Sequence, residues 1–448
     1  MDKLPFQIQN AFWFQAFNAI SWQIALGSPL ILFAQSLSAS ATTIGLLSGL
    51  APLMSILQLP ASRYAEDIGY RKLMLTGWSS RVFLLIFLFL LPFLGFFLPK
   101  ETLVNLLLAI IFFFTIMRGI STCSWLPWIT SIVPESIRGH YLGRERSYIN
   151  MASIIALLLS GGILARGHEM GNYSLVFFLS FAAGAVSLYF LNRIPNPPPY
   201  QNSTSHITPI PWKEILKDKP FIRLLGFSTI VQLGLSAHGI FVVVFLKEQI
   251  LLNDGTILWL TAGSAMMGMV ALKCFAQHTD RVGSKPYLDL VWSWWIVYFF
   301  LWLLVSTHAI QHTKLLSMGL LLTGGFFGST YDLAVTRLLL NMVGEKPDKT
   351  RYFAVYAVVV SLVVGLTPIP WGMVLDGLRH MNLTVSGMGM EWNPFSIFFG
   401  TEWLMLFVIG FTLTRVKEPE SQPTAFVAYE IFVGMPARGL TLLLQRFQ

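Results

Sequence analysis

Long runs of apolar residues, separated by short polar stretches, dominate the chain from end to end. A helix that crosses the hydrocarbon core of a bilayer needs about 20 mostly apolar residues, and twelve runs approach or exceed that length. The predicted spans lie near residues 11–35, 43–62, 73–98, 104–133, 147–166 and 173–193, and then near 221–247, 255–277, 287–306, 315–343, 352–376 and 395–415. The pattern predicts an all-α integral membrane protein with twelve transmembrane helices in two sets of six.

A polar gap separates the two sets of spans. It reads IPNPPPYQNSTSHITPIPWKEILKDK, and its proline and polar residues exclude a membrane crossing. The chain is thereby divided into a first six-helix bundle (1–193), a cytoplasmic linker (194–220), a second six-helix bundle (221–415) and a cytoplasmic tail (416–448). The tail is too interrupted by polar residues for a thirteenth span, and we expect it to lie along the inner membrane surface.

Composition and charge agree with a membrane protein. Apolar residues make up 54% of the chain and charged residues 12%, whereas a soluble protein carries about 25% charged residues. The net charge of +8 does not indicate nucleic-acid binding, because membrane proteins concentrate Lys and Arg on cytoplasmic loops. With the N-terminus inside, 22 Lys and Arg fall on the inner side and five on the outer side. We therefore expect both termini in the cytoplasm and the protein in the plasma (inner) membrane.

Motifs for enzymatic or cofactor chemistry are not found in the sequence. The two cysteines, Cys123 and Cys274, indicate neither a disulfide framework nor a metal cluster. The chain lacks the P-loop pattern GxxxxGK[ST], so an ATP-driven pump is not indicated. We expect no cofactor, no metal and no enzymatic activity.

One short stretch with an acid, a glycine and a base occurs twice. RYAEDIGYRK lies between spans 2 and 3, and HTDRVGSKP lies between spans 8 and 9. Glu66 and Gly69 in the first copy precede Asp280 and Gly283 in the second by 214 residues. Repeated halves of parallel orientation are typical of a large class of secondary transporters. Glycines also cluster in spans 5 and 11, as SGG and GLTPIPWG, which favours close packing between the halves.

The position, topology and repetition of these loops make the chain resemble the major facilitator superfamily over essentially its whole length. In that family the loop between spans 2 and 3 typically reads G-x-L-A-D-R-x-G-R-R. Ser62 and Ala276 stand where the leading glycine is usual, and Asp67 replaces the first arginine. The loop after span 4, PESIRGHYLGRER, is similar to a pattern of poorly characterised members. The matching residues are Glu66, Gly69, Arg71 and Lys72 in the first copy, and Asp280, Arg281, Gly283 and Lys285 in the second.

The resemblance implies that these loops form an inner gate. In the family, the acid at the end of span 2 lies against the N-terminus of span 11, where the helix dipole favours a negative charge. An alternative is that the basic residues only set the topology, and we favour it for Lys72 and Lys285. The gating residues implied by the resemblance are Glu66, Gly69, Arg71, Asp280, Arg281, Gly283 and Arg146, with Glu145 as a further partner of the first loop.

Charged residues inside the spans are the strongest candidates for a functional site. Each costs on the order of 3 kcal/mol, so such residues usually face a cavity or a partner. Arg118 lies about 22 Å from the inner end of span 4, and Asp332 about 16 Å from that of span 10. The resemblance implies that spans 1, 4, 7 and 10 line a central cavity, across which the two charges would face each other. Arg337 is expected to extend to the inner surface, and Arg81 could instead pair with a loop acid.

Polar and aromatic side chains on the other cavity helices complete the candidate site. They suit a polar organic solute with some apolar body. They could equally form ordinary interhelical hydrogen bonds, each worth about 1 kcal/mol, and both interpretations stay open. These residues are Asn18, Trp22 and Gln23 in span 1, Gln232 in span 7 and Tyr331 in span 10.

Two functions are compatible with the sequence. The first is a secondary transporter that moves a small organic solute by alternating access. Asp332 would be its proton-coupling residue, because a carboxyl group inside the membrane can take up and release a proton. The second is a non-transporting membrane sensor or assembly factor on the same scaffold. The charged residues within the spans favour the secondary transporter. The expected partners are a small solute, the lipid bilayer and protons, with no nucleic acid, and the chain is expected to act as a monomer.

Overall fold

The computed structural model describes residues 6–134, 137–167, 169–196, 212–310, 313–344, 346, 349–381, 385–387 and 390–434. Most of these residues are helical. Residues 197–211 of the predicted linker and residues 435–448 of the predicted tail lie outside the described part of the chain.

In the part of the chain that the structure describes, nine helices build the first six spans. Span 1 is broken at Gly27, and span 4 is broken at Cys123 and Ser124. Span 2 contains a short 3-10 turn, Ser55–Leu57, which begins three residues after Pro52. The helices are α1 (Phe6–Leu26), α2 (Ser28–Ser36), α3 (Ala41–Met54), α4 (Gln58–Ile68), α5 (Tyr70–Leu94), α6 (Lys100–Thr122), α7 (Trp125–Ile132), α8 (Arg138–Leu164) and α9 (Met170–Asn192).

The second half follows the same plan, with spans 7 and 11 each broken into two helices. A short antiparallel hairpin between spans 11 and 12, which the sequence did not predict, pairs Val385 with Trp392. The elements are α10 (Trp212–Lys217), α11 (Lys219–Leu235), α12 (His238–Glu248), α13 (Asp254–Val282), α14 (Lys285–Ser306), α15 (Thr313–Val343), α16 (Lys349–Leu366), α17 (Pro368–His380), β1 (Val385–Gly387), β2 (Met390–Trp392), α18 (Pro394–Leu413) and α19 (Thr424–Tyr429).

Eleven segments of the described chain are long and apolar enough to cross a membrane. The helix α15, which corresponds to span 10, is not among them although it has 31 residues. Its central sequence TGGFFGSTYD is rich in glycine and polar residues, which lowers its mean hydropathy. A helix that lines a water-filled cavity can carry such a sequence, because one of its faces is not in contact with lipid.

The outward face of α5 shows how the helices meet the lipid. Phe83, Phe87, Leu90 and Leu94 are all exposed and recur at helical spacing. An exposed apolar stripe of this length would promote aggregation of a soluble protein. It is the expected surface of a helix whose outer side is in contact with acyl chains.

The residue contacts divide the chain into two compact units. The first contains Met1–Pro209, Ser236–Gly263 and Ser361–Leu383, and the second contains Ile210–Leu235, Ser264–Val360 and Thr384–Gln448. The charge distribution predicts which ends of the spans face outside, and these are called the outer ends. The outer ends of spans 7, 8 and 11 belong to the same unit as the first six spans. The boundaries predicted from the sequence, with bundles at 1–193 and 221–415, stay a prediction.

Aromatic side chains fill the inner half of the first unit. Phe14 contacts both Trp78 and Trp125, with ring centroids 5.6 and 4.9 Å away. Trp128 is fully buried, and its Nε1 donates a hydrogen bond to the carbonyl oxygen of Pro195 at 2.9 Å. This hydrogen bond attaches the segment after span 6 to span 4.

The second unit is built around α14 and α18. Trp302 stacks on Phe399 at 5.5 Å, and the Nε1 of Trp292 donates to the carbonyl oxygen of Leu406 at 2.8 Å. Gly410 lies beneath the Trp292 ring, where an added Cβ would come closer than 3.0 Å. The glycine thus allows the indole ring to pack directly on the α18 backbone.

Candidate functional site

The arginines of spans 3 and 4 are held close together by a tight helix contact. An added Cβ on Gly77 of α5 would come within 3.0 Å of the Ser121 side chain on α6. Arg81 follows Gly77 by four residues, and Arg118 precedes Ser121 by three. Because the two helices run in opposite directions, both arginines lie on the same side of this contact along the helix axes. The displacements are about 6 and 4.5 Å, and the charge of Arg118 acts on Arg81.

Arg81 is buried, with 3% of its surface exposed. Its guanidinium lies between the rings of Trp78 and Phe114, at 4.3 and 4.7 Å from their centroids, in an arrangement that permits cation–π attraction. Its Nη2 donates a long hydrogen bond of 3.5 Å to the Oδ1 of Asn18, whereas Nε and Nη1 are buried without a hydrogen-bond partner. Arg118 is half-buried.

A chain of side-chain hydrogen bonds leads from Arg81 toward the inner side. The Nδ2 of Asn18 donates to the Oε1 of Gln15 at 3.4 Å, and the Nε2 of Gln15 donates to the Oε1 of Glu145 at 2.9 Å. Trp125 donates its Nε1 to the same carboxylate oxygen, also at 2.9 Å. Glu145 was expected beside the first loop as a gate partner. Instead it is buried within the bundle, and Gln15 was not among the residues predicted from the sequence.

The other span 1 candidates lie further toward the outer side. Trp22 and Gln23 are half-buried on α1. The side chain of Gln23 lies over Gly27, where α1 ends, because an added Cβ on Gly27 would come closer than 3.0 Å to its Nε2. Gln23 is therefore adjacent to the break in span 1.

Asp332 lies on α15 in the second unit and is exposed, as is Thr336 one turn later. A carboxylate in the middle of a membrane helix is stable only next to water or a polar group, so this face of α15 is expected to be hydrated. Its neighbour Tyr331 is buried against Trp295, with ring centroids 5.2 Å apart. Gln232 is half-buried on α11.

Both loop glycines have a positive φ of nearly the same value. Gly69 has a φ of +90° and Gly283 a φ of +97°, and residues other than glycine rarely adopt such values. Each glycine lies between the end of one span and the start of the next. The repeat that the sequence predicts is therefore accompanied by the same positive φ at the two glycines.

In the first loop, the described contacts differ from those implied by the resemblance. Glu66 accepts a hydrogen bond from the hydroxyl of Tyr70 at 3.2 Å. The Nη2 of Arg71 donates to the backbone oxygen of Asn192 at 2.8 Å and to its Oδ1 at 2.9 Å. Arg71 thus connects span 3 to the end of span 6, and Arg146 is exposed.

The second loop is held by a larger ionic cluster. Arg337 donates from Nε to Asp280 at 3.0 Å and from Nη1 to Glu418 at 3.1 Å, so it forms ion pairs instead of extending freely to the inner surface. The second oxygen of Glu418 accepts from the backbone N–H groups of Ser284 and Lys285, at 2.6 and 2.8 Å, where α14 begins. A carboxylate is favoured at a helix N-terminus, and sequence reasoning missed this one. Arg281 is exposed.

A buried ionic cluster lies at the outer ends of the spans in the first unit. The Nζ of Lys247, on span 7, lies 2.9 Å from Asp254 at the start of span 8, and Asp254 is fully buried. Tyr173, on span 6, donates its hydroxyl to Asp254 and lies 3.2 Å from the carbonyl oxygen of Leu32 on span 1. Lys247 also donates to that carbonyl oxygen, at 3.3 Å. Span 7 and the start of span 8 are thereby joined to spans 1 and 6.

A second outer contact joins spans 2 and 11. Asp376 accepts hydrogen bonds from the backbone N–H groups of Ala41 and Thr42, at 2.9 and 2.8 Å, and so caps α3. Further along, Gly45 and Gly49 of span 2 face the backbone of span 11, where an added Cβ on either would come closer than 3.0 Å to a carbonyl oxygen. Arg379 also pairs with Glu248 at 2.6 Å.

The family model of the Major Facilitator Superfamily matches residues 11–272. The chain belongs to the major facilitator superfamily. The resemblance seen in the repeated loops is thereby confirmed. As a superfamily member, the chain is a multi-pass membrane protein and a secondary transporter of a small solute, and membership implies that it is not an enzyme. No curated protein sequence matches the chain.

Solved structures of other transporters share this fold. A mutant of the nucleoside transporter NupG has a TM-score of 0.69 at 12% identity, over 92% of this chain and all of the other. A POT family transporter in complex with 5-aminolevulinic acid has a TM-score of 0.66 at 13% identity, over 92% and 97% of the two chains. The D-xylose-proton symporter has a TM-score of 0.65 at 14% identity, over 93% and 97%. The predicted twelve-helix superfamily fold is confirmed.

Proposed function

We propose that this superfamily member moves a small organic solute by alternating access, with Arg118 and Asp332 at the centre of its transport site. The contacts at the outer ends carry the proposal. There, spans 1, 2 and 6 of the first half join spans 7, 8 and 11 of the second through the Lys247–Asp254 pair and the Asp376 cap. Hydrogen bonds and ion pairs of this kind can break and re-form as a gate opens and closes.

The transport site would have residues from both halves of the chain, and transport would be coupled to a proton. Asn18, Trp22 and Gln23 would line the site from the first half, and Gln232 and Tyr331 from the second. Asp332 would carry the coupled proton, and its exposure on α15 supports access from water. The loops with Gly69 and Gly283 would form the inner gate. We place the transporter in the plasma (inner) membrane as a functional monomer.

Uptake into proteoliposomes tests transport directly. Purified protein would be reconstituted and presented with a panel of labelled nucleosides, sugars, amino acids and carboxylic acids, with and without an inward proton gradient. Accumulation that requires the gradient is the expected result. Saturable uptake without any effect of the gradient would contradict proton coupling alone. The absence of uptake across the panel would favour a non-transporting sensor or assembly factor.

Removal of the acid from the first loop should weaken the inner gate. We expect Glu66→Ala to reduce uptake severalfold without loss of the protein from the membrane, because the loop loses the hydrogen bond with Tyr70. A cysteine introduced at the exposed Thr336, with both native cysteines replaced, should be labelled faster from the inner side.

The matched control is Glu101→Ala, which removes an exposed acid from the start of α6. We expect it to leave uptake and labelling unchanged. Full uptake and unchanged labelling in Glu66→Ala would exclude Glu66 from the gate.

The topology of the termini can be tested separately. The distribution of 22 basic residues inside and five outside predicts that both termini lie in the cytoplasm. Fusions at each end to a reporter that is active only inside the cell should be active. The same reporter inserted after Gly167, between spans 5 and 6, should be inactive. Activity of an exported reporter at the C-terminus would contradict the predicted twelve-span topology.

A further inference from the structure

The charges in the interior of the first unit do not balance. Arg81 and Arg118 are two positive groups close to each other. Glu145 is the acid connected to Arg81 through the side chains of Asn18 and Gln15. None of the ion pairs formed by the described residues includes either arginine. Two guanidinium groups and one carboxylate leave a net charge of +1 in this cluster.

An unbalanced charge of this kind is costly inside a membrane protein. Arginine keeps its proton under all ordinary conditions, so the cluster cannot become neutral by releasing one. The rings of Trp78 and Phe114 offset only part of the lost hydration, and two nitrogen atoms of Arg81 are buried without a hydrogen-bond partner. Arg118 adds repulsion to this cost. A bound anion would offset this repulsion and bring the net charge of the cluster to zero.

We propose that the transported solute carries a single carboxylate group, which binds Arg118. The proposal rests on the proposed transport function and names the class of its substrate. While Asp332 carries the coupled proton, one negative charge on the solute neutralises the cluster, whereas a neutral or cationic solute would leave it positive. The planar guanidinium group of Arg118 can receive both carboxylate oxygens at once, which adds direction to the charge attraction.

The two arginines have different roles in this site. Arg118 is half-buried and contacts the carboxylate, so it is the binding residue. Arg81 is buried behind it, held between two aromatic rings and bonded to Asn18, so it is a positioning residue that raises the positive potential at Arg118. If Arg81 had only a structural role, its contacts with the two rings would matter and its charge would not.

Matched pairs of ligands isolate the effect of charge. The probes are benzoate with benzamide, nicotinate with nicotinamide, and lactate with lactamide, because each pair differs little except in the negative charge. Binding to the purified full-length protein would be measured by thermal stabilisation and by tryptophan fluorescence, to which Trp78 and Trp125 contribute. At least one acid should bind with an affinity at least about tenfold higher than that of its amide. Equal binding within every pair, or no binding of any acid, would overturn the proposal.

Variants then assign the preference to the two arginines. Arg118→Gln should remove the preference for the acid, and Arg118→Lys should keep part of it. Arg81→Met should lower it severalfold, whereas Arg81→Lys should keep most of it, because the charge and not the ring contact matters. We also expect ligand-free Arg118→Gln to melt at or above the wild-type temperature, since it removes a repulsion. The control is Arg193→Gln, a basic residue stacked on Tyr189 away from the cluster.

The outcomes separate this proposal from the proposed transport function. Binding of acids without uptake would contradict transport and leave the anion site intact. Uptake of neutral or cationic solutes, with no preference for acids, would contradict the anion site and leave transport intact. An unchanged preference in Arg118→Gln would overturn the assignment to Arg118, and an unchanged preference in Arg81→Met would restrict Arg81 to a structural role.

Discussion

Arg118→Ala and Asp332→Ala should each abolish uptake while the protein still reaches the membrane. The loss of one partner from a buried charged contact costs about 2–5 kcal/mol, which corresponds to a fall in apparent affinity of about 30-fold or more. Arg118 is half-buried near Arg81, and Asp332 is exposed in the middle of α15, so both are placed to contact a solute. The measurement is initial uptake by each variant, normalised to the protein in the proteoliposomes.

Two controls accompany this prediction. Arg193→Ala removes a basic residue that stacks on Tyr189, and it should leave uptake unchanged. Wild-type uptake with the proton gradient collapsed tests the coupling role of Asp332. Near-normal uptake by both site variants would contradict the site assignment, whereas accumulation without a gradient would contradict only the coupling.

Gly49→Ala should prevent the outer side from closing. The added Cβ would lie closer than 3.0 Å to the carbonyl oxygen of Gly365, a backbone atom that cannot move aside without shifting span 11. We expect uptake to fall at least about tenfold, because a transporter that cannot close on one side cannot complete its cycle. Gly45→Ala, which meets the carbonyl oxygen of Pro368, should have the same effect.

The open outer side can be observed by labelling. Ala34 is fully buried beside the outer contacts, so a cysteine at this position should react slowly with a membrane-impermeant maleimide. In the Gly49→Ala background it should react faster from outside. Gly162→Ala is the matched control, because Gly162 is also in a membrane helix and has no atom within 4 Å of an added Cβ. Slow labelling together with normal uptake in Gly49→Ala would show that the contact is not a gate.

The spans and the repeat could be predicted because both depend on local sequence. A run of apolar residues has the length of a bilayer whatever its neighbours are, and Gly69 and Gly283 occur at equivalent positions of two similar loops. The breaks in spans 1, 4, 7 and 11 were not predicted, although a proline follows the break closely in spans 1 and 11. At Gly27, for example, the apolar run continues on both sides of the break.

The ionic contacts could not be predicted, because each pairs residues that are distant along the chain. From the sequence, Lys247 was only one of five basic residues on the predicted outer side. Nothing in the sequence near Tyr173 indicates that it contacts Asp254. Glu418 follows span 12 in a charged segment that reads as part of the tail, although it caps α14. A better signal existed for Gln15, because it precedes Asn18 by three residues and so lies on the same face of α1.

The first unit also has a consequence for biogenesis. Its three segments end at residue 383, and the last two, Ser236–Gly263 and Ser361–Leu383, are separated by nearly a hundred residues of the second unit. At a synthesis rate of about 5–20 residues per second, roughly 9–35 s pass between the completion of the first segment and that of the last. During that interval, Tyr173 cannot bond to Asp254 until Asp254 is synthesised, and the N-terminus of α3 cannot be capped until Asp376 is synthesised. The contacts with Asp254 and Asp376 are therefore not available to the nascent first half, and a chaperone or insertase that shields its polar groups would act in this window.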